Sequence, residues 1–294
     1  MEILLDGAVS ASVLFLIAVG LTFIYGVLRI VNVAHGSLYA LGAYTAVSLV
    51  SAFVGAGGSP YLTYALLVVA ALLVGMVVGP VLERVFLRPF YGREDVIQLL
   101  VTFSVFLILE DAMKLVWGVR TVYADTPYRL LGQINLAGIS YSVYQLLLVG
   151  VALATAALLS VLINGTRFGK LVVAVINDRE MSTALGIHVG RLFTVAFTLG
   201  AIFAALGGAF VAPTIAVGPG VSVEAIVLAF AVVVIGGLGS LRGAALGALI
   251  VGLARSVAVH RFPEVDLAVI YLIMVAILLI RPRGLFGELA LRRI

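Results

Sequence analysis

The sequence predicts an all-α fold: a polytopic membrane helix bundle of about eight to nine segments, in a single domain spanning residues 1–294. Three observations carry that expectation. The chain is 63% apolar, above the 45–50% or so of soluble domains. Charged residues make up only 11%, against about 25% in a soluble protein, too few to cover a water-facing surface. The apolar residues also run in long continuous stretches, whereas strands of a membrane barrel would alternate.

Nine stretches stand out, at 8–28, 37–55, 61–82, 96–117, 139–163, 192–217, 224–235, 244–259 and 265–280. Most approach the 20 or so residues that cross the hydrocarbon core. The first has Glu2 and Asp6 ahead of it and no Lys or Arg before Arg29. A secretory signal needs a basic start, so this stretch is expected to be a retained helix. The seventh and eighth are short and flank Gly236-Gly237-Leu238-Gly239, which predicts half-helices or one broken element. Gly36-Ser37-Leu38 recurs as Gly239-Ser240-Leu241, each followed by Gly-Ala at 42–43 and 247–248, a hint of internal duplication.

Orientation follows from the basic residues. With the N-terminus outside and each stretch crossing once, the inner connections carry 13 Lys and Arg and the outer ones 3. The large basic connections and the C-terminus, with Arg281, Arg283, Arg292 and Arg293, are thereby expected in the cytoplasm. The bias leaves open whether 29–36 and 236–243 are re-entrant. Small residues four apart, Ala196, Gly200, Ala204, Gly208 and Ala212, predict close helix crossings.

Polar residues inside apolar stretches are few. Glu110 and Lys114 are spaced i, i+4 for an ion pair, with Asp111 beside them. Arg255 is expected to pair with Glu264 or Asp266, or to snorkel. Glu224 opens the seventh stretch, where a carboxylate favours a helix N-terminus. Cysteine is absent and the three histidines are far apart, so no metal site is expected. The basic residues form no patch of the kind that binds nucleic acid.

The longest inner connection, 164–191, contains a short polar helix over 177–186. Asn177 or Asp178 caps its start and Gly186 supplies its stop. Such a helix suits docking to a partner. Gly165 to Lys170 falls one residue short of a phosphate-binding loop, and Leu171 stands where Ser or Thr is needed. The chain is therefore expected to hold no nucleotide or other cofactor of its own.

The sequence resembles the membrane permeases of the high-affinity branched-chain amino acid ABC transporters (LivH type) over nearly its full length. The signature is Arg29-Ile-Val-Asn32-Val-Ala34-His35-Gly36 within 20–44. It continues with Glu83-Arg84 to Arg88-Pro89, Thr102-Phe103-Ser104 with Leu109-Glu110-Asp111, and Phe168-Gly169-Lys170 with Asp178-Arg179-Glu180. Val234 to Ser240 and Arg281 to Gly287 complete it. Leu228, Arg242 and Ser104 depart from the Lys, Pro and Gly usual there.

The resemblance implies an importer subunit without enzymatic activity. Its partners would be a second permease (related, or a second copy), two cytoplasmic ATPases that hydrolyse the ATP, and an extracytoplasmic binding protein. The location would be a bacterial-type inner membrane. Asp178, Arg179, Glu180, Ala184 and Gly186 would couple to an ATPase. Asn32, His35, Gly36, Ser37, Gly42, Gly236, Gly237, Gly239 and Ser240 would line or brace the translocation path, where helix breaks free backbone groups for substrate. Urea, short amides or another small organic solute are alternative substrates. A stand-alone secondary transporter or channel is the rival class.

Overall fold

The computed structural model describes residues 2–136 and 139–287, so Arg292 and Arg293 lie outside the described residues. Each of the nine apolar stretches contains a helix, and three short helices lie between them. In chain order these are α1 (Glu2–Leu28), α2 (His35–Gly55), α3 (Thr63–Val81), α4 (Asp95–Trp117), the short α5 (Thr126–Leu130), α6 (Val143–Gly165), α7 (Arg167–Asn177), α8 (Arg179–Ala184), α9 (Val189–Val211), α10 (Val221–Gly236), α11 (Leu241–Arg261) and α12 (Asp266–Ile280). Seven are long and apolar enough to cross a membrane by length and composition, and α10 and α12 are shorter apolar helices. The chain is a multi-pass membrane protein.

Two stretches differ from their expected bounds. Residues 139–142 are strand β2 (Ile139–Ser142), paired antiparallel with β1 (Gln133–Leu136), Gln133 opposite Ser142. Polar and apolar residues alternate in Ile-Ser-Tyr-Ser, the period of a strand. The sixth stretch starts earlier, at Val189, and its helix ends at Val211, where Pro213 permits only a tighter turn over Ala212–Thr214.

The core is built around α1 and α9. Close approach is set by glycine. A Cβ on Gly200 would sit 2.3 Å from Ile24, and one on Gly208 1.9 Å from the Tyr39 carbonyl oxygen. The four-residue ladder on α9 therefore serves α1 at one level and α2 at another. Gly75 and Gly79 of α3 press on Ile202 and Thr198, and Gly243 presses on Gly236 across the α10–α11 turn. In lipid, where apolar surface gives no drive for association, such backbone proximity supplies packing.

The basic connections gather at one end. Arg88, beyond α3, bonds the Gly190 carbonyl at the start of α9. Gly26 of α1 meets Gly239, and Leu285 and Phe286 donate to the carbonyls of Ile235 and Gly236. The opposite end carries an aromatic layer. Trp117 stacks on Tyr44, with centroids 5.1 Å apart, and Tyr144 donates to the Phe210 carbonyl at 2.7 Å.

Candidate functional site

Two helices begin inside the bundle rather than at its ends. After Leu28 the chain turns at Arg29, whose φ of 57° lies in the left-handed region. Residues 29–34 then climb back along α1. His35, the first residue of α2, places Nε2 2.9 Å from the Ile17 carbonyl oxygen. Ile17 is 11 residues before Leu28, about 16 Å back along the helix. The non-helical residues 29–32, a turn at 33–34 closed by the His35 amide donating to the Asn32 carbonyl, and the length of the His35 side chain together make that climb. The segment 29–34 thus runs back into the bundle as non-helical chain, and α2 starts beside the middle of α1 and continues toward the opposite end.

The second inside start is α10. From the far end of α9 the chain passes Val217, bridged to Val122 at 2.8 and 3.1 Å, turns at Gly220 with φ 97°, and enters α10 at Val221. The two starts meet. A Cβ on Gly36 would lie 2.2 Å from the Ser222 carbonyl oxygen, so only glycine lets them touch. Beside both runs α4. Ser37 donates to the Phe106 carbonyl at 3.4 Å, and Thr102 to the Val31 carbonyl at 3.1 Å. Glu110 accepts from the Ser222 hydroxyl and, at 3.4 Å, from the Gly220 amide. Lys114 pairs instead with Asp111 at 3.1 Å, so the expected Glu110–Lys114 pair does not form.

Asn32, His35 and Ser37 are wholly buried. Both polar atoms of the Asn32 side chain and Nδ1 of His35 have no hydrogen-bond partner among the described residues. Asn32 faces a gap lined by Leu82, Leu87, Thr102, Val105 and Phe197 with no room for a water-sized sphere. Buried amides are nearly always bonded, which marks the break as a place of unmet polarity.

The other path residues sit elsewhere. Gly42 packs on Ala205. Gly236, Gly237 and Gly239 form the turn at the basic end, where Gly237 and Gly239 take φ of 104° and 80°. Ser240 caps α11 by accepting from the Gly243 amide at 3.0 Å. Gly239 and Ser240 help line a cavity of about 320 Å³ with Thr22, Gly26, Arg29 and Asn177. The two groups of predicted residues therefore mark two levels of the bundle. The matching Gly-Ser-Leu triplets serve different ends, since Ser240 caps a helix and Ser37 bonds across to α4.

In the long connection, Asp178 is the cap and accepts from the Met181 amide at 2.9 Å. Gly186 stops α8 with φ 84°, and Ile187 donates back to the Ser182 carbonyl at 3.0 Å, a closing pattern that glycine favours. Asp178, Arg179, Glu180 and Ala184 are exposed, as are Met181 and Leu185. Sequence reasoning missed α7, which is capped by Thr166 accepting from Gly169 at 3.1 Å and buries Val172 and Val175. Its signal was that Thr-x-x-Gly cap followed by valines three apart.

A fully buried carboxylate ties this region to the bundle. Glu83 accepts from Arg88 Nε at 3.2 Å and Nη2 at 3.0 Å, from Tyr91 at 3.0 Å and from Thr194 at 2.7 Å. It lies on a widened π-type turn, Leu82–Leu87, of the sort that recurs at functional sites. Tyr91 meets Phe193 edge-on, and Arg179 of α8 lies over the same ring.

A membrane bundle with helices broken at mid-depth and glycine-lined crossings has the build of a transporter. The comparisons place it further. The family described as "Branched-chain amino acid transport system / permease component" matches residues 3–278, and the chain belongs to that family, a transport component rather than an enzyme. It is 27% identical over 289 residues to the permease protein LivH of Salmonella typhimurium, covering 96% of this chain and 94% of that one. It is 29% identical over 292 residues to BraD of Pseudomonas aeruginosa, covering 97% and 95%. Both are named as high-affinity branched-chain amino acid transport system permease proteins. Among solved structures it is similar to PsaBC from Streptococcus pneumoniae in complex with Fab, at 14% identity, 95% and 91% coverage and a TM-score of 0.49.

Proposed function

We propose that this chain is the permease subunit of an ABC importer that moves branched-chain amino acids across the inner membrane. An extracytoplasmic binding protein delivers the substrate, and a second permease completes the path. Two cytoplasmic ATPases supply the energy, and the chain itself holds no cofactor. The basic end and the C-terminus face the cytoplasm. The observation that carries the reading is the family match across residues 3–278.

The geometry supports a division of labour. Asp178, Arg179, Glu180, Ala184 and Gly186 build the exposed α8 loop that docks on an ATPase, with Met181 and Leu185 as apolar knobs. Asn32, His35, Gly36, Ser37 and Gly42 brace the break beside the path. Gly236, Gly237, Gly239 and Ser240 shape its cytoplasmic mouth. Backbone groups freed by the break can meet the two ends of an amino acid.

The test is reconstitution in proteoliposomes with the second permease, both ATPases and the binding protein. Uptake of radiolabelled leucine, isoleucine and valine should require ATP, and cysteines at Arg179 and Ala184 should crosslink to the ATPase. Uptake without ATP or ATPase would mark a secondary transporter. Uptake confined to urea or short amides would move the substrate assignment.

A further inference from the structure

Depth along the bundle can be read from helix rise. Gly236 and Gly237 touch the C-terminal segment at the basic end. Glu224 lies 12 residues earlier on α10, about 18 Å farther into a hydrocarbon layer about 30 Å thick. Glu110 lies seven residues before Trp117 on α4, about 10 Å inside the opposite boundary. Two helices running in opposite directions thus place the carboxylates at one depth. The contacts agree, because Glu110 bonds Ser222 and Gly220 at the start of α10.

The two carboxylates differ in surroundings. Glu110 is half-buried and bonded. Glu224 is exposed, with Val223 and Val227 exposed on either side, and its carboxylate makes no hydrogen bond or ion pair among the described residues. The cation whose field reaches it, Arg255, is gripped by Asp266 at 2.6 and 2.8 Å. An ionised group at this depth is costly against lipid and is found facing protein or water. The α3 face is the contrast. Val68, Val69, Leu72, Leu73, Met76 and Val77 are exposed there with no charge among them, which is what lipid requires.

We propose that the face around Glu224 is the wall this chain presents to the second permease subunit across the water-filled path, and that Glu224 receives the ammonium group of the passing amino acid. The inference rests on the permease reading above. A path on the surface of one chain needs a second wall, and a second permease of the same build supplies it. The helix starts at His35 and Val221 lie directly behind this wall, so opening the break would reshape it. Val223 and Val227 offer an apolar margin to an aliphatic side chain, while the carboxylate meets its charged end.

The absence of cysteine allows single cysteines to be placed without removing any. In the fully assembled transporter, Val223→Cys and Val227→Cys should react with a charged, membrane-impermeant methanethiosulfonate, and the reaction should block uptake. Leu72→Cys and Met76→Cys on α3 should stay unmodified. Glu224→Gln should raise the KM for uptake about tenfold or more, the loss of one charge-assisted bond, and Glu224→Asp should recover part of it. Inert cysteines at 223 and 227, or equal reaction at 72, overturn the wall. An unchanged KM in Glu224→Gln overturns the ammonium role. If that variant fails to assemble, Glu224→Asp decides the ammonium role, an unchanged KM overturning it. Wild-type complex without ATP-dependent uptake refutes the permease reading itself, a result distinct from uptake with unlabelled cysteines.

Discussion

The Glu83 node offers a test in which the two halves of one ion pair respond unequally. Glu83 is 0% exposed and the Arg88 side chain 42%. Replacing Arg88 with Met strands a carboxylate where water cannot reach, with only Tyr91 and Thr194 left to donate. Leaving a buried charge without its partner costs about 3–5 kcal/mol. Replacing Glu83 with Gln strands an arginine that can turn toward water, and Gln keeps the volume and one acceptor. The charge-assisted parts of the bonds are lost, roughly 1–2 kcal/mol. Because the Arg88 side chain is 42% exposed, solvent screening puts both effects at the low end of these ranges. Arg88→Met should therefore lower the Tm of detergent-purified protein clearly more than Glu83→Gln does. The double variant should lose less than the sum, since the two residues touch. An Arg88→Met variant as mild as Glu83→Gln would show that the carboxylate is not held dry, and the reasoning fails.

Gly208→Ala should destabilise by about 1–3 kcal/mol, because its Cβ would meet the Tyr39 carbonyl at 1.9 Å; Gly150→Ala meets nothing within 4 Å and should leave the Tm unchanged or raise it. Tyr141 donates to Asp6 at 3.0 Å, and burial first, then Asp6 and Glu2, push its hydroxyl up to about 12 from 10. The folded state thus favours the protonated phenol, a contribution fully present below pH 10 and lost between pH 10 and 12. Tm measured across that window should fall more steeply in the wild type than in Tyr141→Phe, and parallel curves would remove the effect.

The membrane bundle was legible because each crossing needs its own run of apolar residues, and that constraint is local. The break at 29–34 was not. Val31, Val33 and Ala34 are as apolar as a helix, and what bends the chain is the conformation of Arg29 together with a histidine that finds a carbonyl 18 residues back. Partners across the bundle were equally hidden. Spacing paired Glu110 with Lys114, whereas the carboxylate bonds Ser222, 112 residues onward. Arg255 to Asp266 was legible as one of two pairings offered beside snorkelling, since the two residues lie either side of a single short connection. Asp178 and Gly186 were readable as cap and stop because both act on their own backbone. The path residues were readable as a set of helix breakers, but their division between two depths depends on how helices stack.

The position of α1 bears on how the chain is made. It is made before the helices that surround it and is the most enclosed of the long apolar helices among the described residues, 78% buried over its apolar stretch. The helices that enclose it, α9 to α11, are complete only at Arg261, some 230 residues after Leu28. At about 5–20 residues per second, α1 waits roughly 10–50 s beside lipid before its neighbours arrive. A segment with one charged seam would be exposed to expulsion in that interval. Between Asp6 and Arg29 the sequence has no charged residue, so the helix tolerates lipid on every side and can later exchange it for protein. The same apolar circumference thus serves first against lipid and then as the axle of the finished subunit.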